Sequence, residues 1–179
     1  MPPAPLILPH LTLITGGARS GKSTYAEVLA KGCGLKRRYI ATAQAFDGEM
    51  EERIALHQAQ RGTDWVTVEA PLDLGFALAQ AQPDEVVLVD CLTLWLTNHL
   101  LADHELTTES ARLIEALTAC PARVICVTNE VGSGIVPLDA LSRRFRDEQG
   151  RLNQRVAAAA DLAVAVFAGL PLALKGHLP

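Results

Sequence analysis

The 179-residue chain has few aromatic residues, 4% in all, so its core must be built mostly from Leu, Val, Ile and Ala. It lacks any apolar stretch of the ~18–20 residues that a bilayer-crossing helix needs. It lacks an excess of basic charge as well. The net charge is −4 and the pI about 5.7, which argues against a general binder of nucleic acid or anionic membrane but leaves room for a local phosphate site. No CxxC pair occurs. Cys33, Cys91, Cys120 and Cys126 stand apart, and they read as reduced, mostly buried thiols of a cytoplasmic protein rather than a zinc site. No basic segment precedes the proline-bearing start, so it does not read as a signal peptide. No repeat, low-complexity tract or Ser/Gly linker divides the sequence. Residues 1–10 therefore read as a frayed N-terminal extension, and 11–179 as a single domain.

What is present alternates between two patterns. Short β-branched runs at 11–15, 38–43, 65–69, 85–90, 123–129 and 162–167 read as strands, EVVLVD at 85–90 being the clearest. Between them, helices are expected over 22–31, 47–60, 92–101, and in a long stretch over 138–160 weakened at Gly150. Pro71 is expected to open another helix running to about Ala81, and Thr107 or Thr108 to cap one ending at Ala119. Strand–helix alternation predicts parallel pairing with right-handed crossovers. The expected fold is α/β: three layers, a mostly parallel sheet with helices on both faces.

One segment carries chemistry on its own. Gly16-Gly17-Ala18-Arg19-Ser20-Gly21-Lys22-Ser23 fits G-x-x-x-x-G-K-[ST] and sits after a strand and before a helix. The glycines let the backbone curl so that N–H groups point inward at a phosphate, and the helix start adds its positive end. Lys22 can reach the β- and γ-phosphates, and Ser23 can ligate Mg²⁺. Asp90, ending the most apolar strand, is the acid expected to help hold that metal; its plainer role would be to cap the next helix. A regulatory GTPase would need N-K-x-D after a later strand. Thr128-Asn129-Glu130-Val131 lacks both the Lys and the Asp. A motor ATPase would normally be longer, and the size suits a small-molecule kinase.

Further segments join this one in a wider pattern: YIATAQ at 39–44, DGEMEERIALHQ at 47–58, VLVDCLTLWLTN at 87–98, VTNEVGSGIVP at 127–137 and FRDEQGRLNQRVAAAAD at 145–161. Together with TGGARSGKS, these make the chain resemble the bifunctional adenosylcobinamide kinase / adenosylcobinamide-phosphate guanylyltransferase family of cobalamin biosynthesis. The likeness runs from Leu11 to about Gly176. It implies a RecA-like P-loop fold and two reactions on one corrinoid. ATP or GTP phosphorylates the aminopropanol hydroxyl of adenosylcobinamide. GMP then passes from GTP to adenosylcobinamide phosphate through a histidine–GMP intermediate.

In the family the nucleophile follows E-M-x-x-R-I, which places it at His57. On the residues alone, Met50, Ile54 and His57 share a helix face, and a partly buried helix histidine would explain them equally. The other histidines, His10, His99, His104 and His177, lie in tails or near helix ends and show no comparable setting. The resemblance also implies nucleotide contacts from Ala41, Thr42, Ala43 and the residues after the histidine. A basic residue often follows that histidine in the family; here Gln58 stands there, and Arg61 is the candidate replacement. Glu69, ending a strand, is either a ribose or base contact or a solvated acid. Arg143, Arg144, Arg146, Arg151 and Arg155 form either a salt-bridged solvated face or a phosphate or subunit contact. The family assembles as homotrimers, which is expected here on that ground alone. The alternatives are a metabolite kinase without guanylyl transfer and a non-catalytic nucleotide-binding regulator.

Overall fold

The computed structural model describes residues 4–44 and 64–179. Within them lie seven strands: β1 (Leu11–Gly16), β2 (Lys36–Ala41), β3 (Trp65–Glu69), β4 (Glu85–Asp90), β5 (Arg123–Asn129), β6 (Leu162–Phe167) and β7 (Leu170–Lys175). Five helices accompany them: α1 (Lys22–Gly32), α2 (Leu74–Ala79), α3 (Leu92–Leu101), α4 (Leu106–Ala119) and α5 (Ala140–Ala159). The helix expected over 47–60 lies outside the described residues, and with it His57, Gln58 and Arg61.

The strands form one sheet in the order β3-β2-β4-β5-β1-β6-β7. Every pairing is parallel except β6 with β7. β4, β5, β1 and β6 are nearly continuous Val/Ile/Leu/Ala runs because both of their faces are covered. On one face, α2 to α5 pack through Leu74, Leu78, Leu96, Leu117, Leu152 and Val156. On the other, α1 packs Ala26, Leu29 and Ala30 against Ile14, Leu88, Ile125 and Val164. Burying each such Leu, Ile or Val contributes about 1.5–3 kcal/mol. No helix among the described residues is long and apolar enough to cross a membrane. All four cysteines are buried and unbridged.

Several element boundaries differ from the sequence reading, each for a local reason. β2 ends at Ala41 rather than 43. α2 starts at Leu74, because Asp73 accepts the Phe76 N–H at 2.9 Å; Pro71 instead offers its carbonyl to Asn98 Nδ2. The cap of α4 is Glu105, whose carboxylate takes the N–H groups of both Thr107 and Thr108. The Thr108 hydroxyl, which donates to the same carboxylate, and then these two N–H groups hold the Glu105 carboxyl down at about 2. α5 runs unbroken through Gly150. β7 was not anticipated: Pro171 argues against a strand, yet it sits on the sheet edge, where a missing N–H is tolerated. Its hairpin turns at Ala168 and Gly169, with φ of 50° and 79°, the left-handed pair of a tight two-residue turn.

The described part of the N-terminal extension is docked rather than frayed. Leu8 is buried, the Leu6 N–H donates to the Gly32 carbonyl, and the Arg123 guanidinium donates to the Leu8 carbonyl.

Candidate active site

Parallel register gathers the site along the carboxyl edge of the sheet. Gly16 is level with Asn129, Asp90 with Val127 and Ala41, and Ala41 with Glu69. Ligands of open α/β sheets bind at this edge, where strands hand over to loops.

Residues 17–21 leave β1 in a tight curl. Gly21 has φ of 95° and is the N-cap of α1, whose start carries no side-chain cap. Uncapped N–H groups at a helix start are an anion site. A Cβ on Gly16 would lie 2.5 Å from Ser20 Oγ and 2.6 Å from the Val166 carbonyl oxygen, so only glycine fits. The curl is braced from outside by the β6–β7 turn, where the Gly169 N–H donates to the Ser20 carbonyl at 2.8 Å. Lys22 folds back over the loop and donates to the Gly17 carbonyl at 3.2 Å, which sets its ammonium inside the curl. Ser20 Oγ is buried with no hydrogen-bond partner among the described residues. A buried hydroxyl of this kind is costly unless something supplies the bond, and a phosphate oxygen in the curl would supply it. Ala18 and Arg19 are exposed, Arg19 with φ of 57°.

Asp90 is half-buried at the end of β4. The Tyr39 hydroxyl donates to its Oδ2 at 3.1 Å. The N-cap position of α3 is taken by Cys91, not Asp90, and the Asp90–Cys91 peptide is cis. Burial, and then the Asp90 charge beside it, pushes the Cys91 thiol up to about 11. The cysteine is therefore no nucleophile at neutral pH.

Thr42 is wholly buried and committed inside the protein. Its hydroxyl donates to the Cys91 carbonyl at 2.7 Å and accepts the Cys91 N–H at 2.8 Å. Its own carbonyl accepts from Asn98 Nδ2 at 2.8 Å. Thr42 thus clasps the β2 and β4 ends together, and Ala41 and Ala43, both half-buried, are the small residues left beside the edge. Glu69 is exposed at the end of β3.

Sequence reasoning missed a polar network on the far side of β5. Gln149, fully buried on α5, donates to Thr128 Oγ1 and to Asn153 Oδ1, both at 2.9 Å. Asn153 Nδ2 donates to the Asn129 carbonyl at 3.0 Å, and Thr93 Oγ1 accepts the Asn129 N–H at 2.8 Å. The available signal was a Gln and an Asn four apart on a helix facing a strand that ends Thr-Asn.

The histidines also differ from expectation. His99 is buried, donates from Nε2 to the Leu72 carbonyl at 3.2 Å, and meets His104 Nδ1 at 2.9 Å. Burial lowers its proton affinity. The pair faces a cavity of about 470 Å³ beside Trp95, Glu109 and Arg112. The arginines of α5 serve different ends. Arg143 donates to the Pro137 and Leu138 carbonyls, Arg146 pairs with Asp147, Arg151 with Glu148, and Arg155 reaches the Thr107 carbonyl.

Comparison with known proteins gives the arrangement a family. A family model described as cobinamide kinase / cobinamide phosphate guanyltransferase matches residues 12–174. The chain is 53% identical over 168 residues to the bifunctional adenosylcobalamin biosynthesis protein CobP of Pseudomonas aeruginosa, covering 92% of this chain and 97% of that one. It is 42% identical over 181 residues to CobU of Salmonella typhimurium, covering 92% and 99%. Among solved structures it is similar to the flagellar accessory protein FlaH of Methanocaldococcus jannaschii, with a TM-score of 0.51 at 13% identity over 94% of this chain and 79% of that one. It is also similar to the type III secretion ATPase EscN of enteropathogenic E. coli, with a TM-score of 0.54 at 13% identity over 89% and 43%. These last two speak for a RecA-like P-loop fold alone. With a phosphate loop in its structural place and near full-length relatives on both sides of it, the chain belongs to the cobinamide kinase / cobinamide phosphate guanyltransferase family.

Proposed function

We propose that the protein phosphorylates adenosylcobinamide and then guanylylates the product, within a single catalytic domain spanning residues 11–179. The observation that carries the reading is the phosphate loop: an uncapped helix start, an ammonium folded into the curl, and a buried hydroxyl with no partner among the described residues. In the first reaction the aminopropanol hydroxyl attacks the γ-phosphorus of ATP or GTP. The new P–O bond forms as the bond to the β-bridging oxygen breaks, the hydroxyl proton leaves to solvent, and the nucleoside diphosphate departs. Lys22 and the loop N–H groups hold the charge that moves onto the leaving oxygens.

Ser23 and Asp90 offer oxygen donors of the kind Mg²⁺ takes, and no cluster of three acidic, His or Cys ligands occurs among the described residues. That fits a cation held mainly by phosphates and water. When bound, Mg²⁺ neutralises phosphate charge. Ala41 and Ala43 leave room for the nucleotide beside β2, and Glu69, exposed at the end of β3, is the candidate contact for its ribose or base.

In the second reaction the His57 imidazole attacks the α-phosphorus of GTP and releases pyrophosphate. The phosphate of adenosylcobinamide phosphate then displaces histidine to give adenosylcobinamide-GDP. On the family resemblance, Gln58 and Arg61 are the residues assigned to contact the nucleotide phosphates. We place the enzyme in the cytoplasm as a homotrimer. The nearly fully exposed Ile135 and Leu138 beside the loop edge supply apolar surface of the sort subunit contacts cover.

Incubation of the purified protein with α-labelled GTP and Mg²⁺ tests the reading. Acid-labile, base-stable label on the chain is expected, absent in His57→Ala, while that variant still phosphorylates adenosylcobinamide. An unlabelled wild-type chain would leave a simple kinase, and binding without corrinoid turnover would leave a regulator.

A further inference from the structure

We propose that Asn129 is a further catalytic residue of the phosphoryl transfer, its side-chain amide donating to the γ-phosphoryl oxygens. The inference rests on the kinase reading above. β5 lies between β4, which ends in Asp90, and β1, which ends in the phosphate loop. Asn129 is level with Gly16, the first residue of the loop. Asp90 is level with Val127, so Asn129 stands one pleat, about 6–7 Å, farther toward the phosphates.

Side chains of a strand alternate between its faces. Ile125 and Val127 pack on the α1 side, and the Thr128 hydroxyl turns to α5. Asn129 therefore projects on the α1 side, over which the phosphate loop rises into its helix. Asp90 shares that side, since Val86 and Leu88 of β4 pack there.

The strand end is held unusually firmly. Both main-chain polar groups of Asn129 are taken by side chains from different helices, Thr93 of α3 and Asn153 of α5. The next N–H, of Glu130, donates to the Gly16 carbonyl at 3.1 Å, tying this strand end to the loop itself. Behind it stands the Gln149–Thr128–Asn153 network, in which Gln149 Oε1 remains buried without a partner among the described residues. A partly satisfied buried polar network is less stable than an apolar core. Here it fixes one thing, the position of Asn129. The side-chain amide of Asn129, half-buried, has no hydrogen-bond partner among the described residues. A neutral donor held rigidly beside the loop suits an equatorial phosphoryl oxygen, whose hydrogen bonds strengthen as the transition state forms.

The test compares Asn129→Ala, Asn129→Ser and Asn129→Asp with the wild type. The readouts are kcat and nucleotide KM for adenosylcobinamide phosphorylation, and binding of fluorescent ADP against a fluorescent non-hydrolysable ATP analogue. Asn129→Ala is expected to lower kcat about 100-fold and to erase any preference for the triphosphate, with ADP affinity unchanged. Asn129→Ser, which keeps a donor, recovers part of the loss. Asn129→Asp, which sets a carboxylate against phosphate, falls below alanine. Unchanged kcat in Asn129→Ala overturns the proposal, and so does ADP binding lost in parallel with turnover, which would mark a structural role. A wild type that turns over no adenosylcobinamide overturns the kinase reading instead; the ADP-against-ATP comparison then judges Asn129 by itself.

Discussion

Gly16→Ala is the sharpest test of how the phosphate loop is built. The added methyl would sit 2.6 Å from the Val166 carbonyl oxygen and 2.5 Å from Ser20 Oγ, where ordinary contact begins at 3.4 Å. Ser20 can rotate away. Val166 cannot, because its strand is paired to β1 on one side and β7 on the other. Relief therefore requires the loop to lift from β6 by about 0.8 Å, the shortfall from ordinary contact. Overpacking of this kind costs ~1–3 kcal/mol of stability. A displacement approaching 1 Å at a phosphate cradle costs ~100-fold in turnover. The urea midpoint reports the first quantity, and steady-state phosphorylation of adenosylcobinamide the second. A folded Gly16→Ala protein with wild-type midpoint and wild-type kcat/KM would refute the reasoning, since the backbone contact cannot be relieved without moving the loop.

Other perturbations have defined outcomes. Glu85 is almost wholly buried and meets Arg38 through two hydrogen bonds, at 2.9 and 3.1 Å, while also accepting the Gln82 N–H. Glu85→Ala strands the Arg38 guanidinium and should cost ~3–5 kcal/mol by urea melting; a double variant, Arg38→Met with Glu85→Leu, should recover most of it, and an unmoved single-variant midpoint would refute the pairing. Acid should destabilise the fold in two steps. Burial lowers the proton affinity of His99, so the unfolded chain takes up its proton first, and stability is lost as pH falls below about 6.5 at no more than about 1.4 kcal/mol per pH unit. For Glu85, burial pushes upward, but the Arg38 and Gln82 hydrogen bonds and the Arg38 charge outweigh it and hold the carboxyl low; its contribution is present above about 4.3 and lost below. Urea midpoints from pH 8 down to about 2.5 check both, and a His99→Asn variant that keeps the full slope between pH 6.5 and 5.5 would acquit His99.

Much of this could be read from the chain because the relevant signals are local. Gly16–Ser23 declares itself through residues that must be adjacent, and β3, β4, α3, β5 and β6 have the bounds that their apolar runs suggest. What escaped depends on contacts between distant residues or on competing local preferences. Ala168 gives no cue for a left-handed turn, so β7 was invisible. Glu105 outcompetes Thr107 and Thr108 because one carboxylate reaches two N–H groups. Thr42 is expected beside the nucleotide from the family resemblance, but nothing local signals that its hydroxyl also bonds Cys91, far along the chain. The His99–His104 pair depends on how α3 hands over to α4.

The placement of β1 in mid-sheet governs the order in which the molecule can be made. It precedes the other described strands in the chain, yet its partners are β5 and β6, and its loop is braced by a turn at Gly169. The most local motif in the sequence thus waits for strands and a turn encoded far downstream of it. A nascent chain carrying GGARSGKS but ending before β6 holds the full signature and no cradle, and must keep an unpaired, aggregation-prone Leu/Ile strand in solution until its neighbours emerge. Long-range closure of this sort slows folding. It also means that nucleotide, by binding only the closed loop, stabilises the chain only after the β6–β7 hairpin has formed.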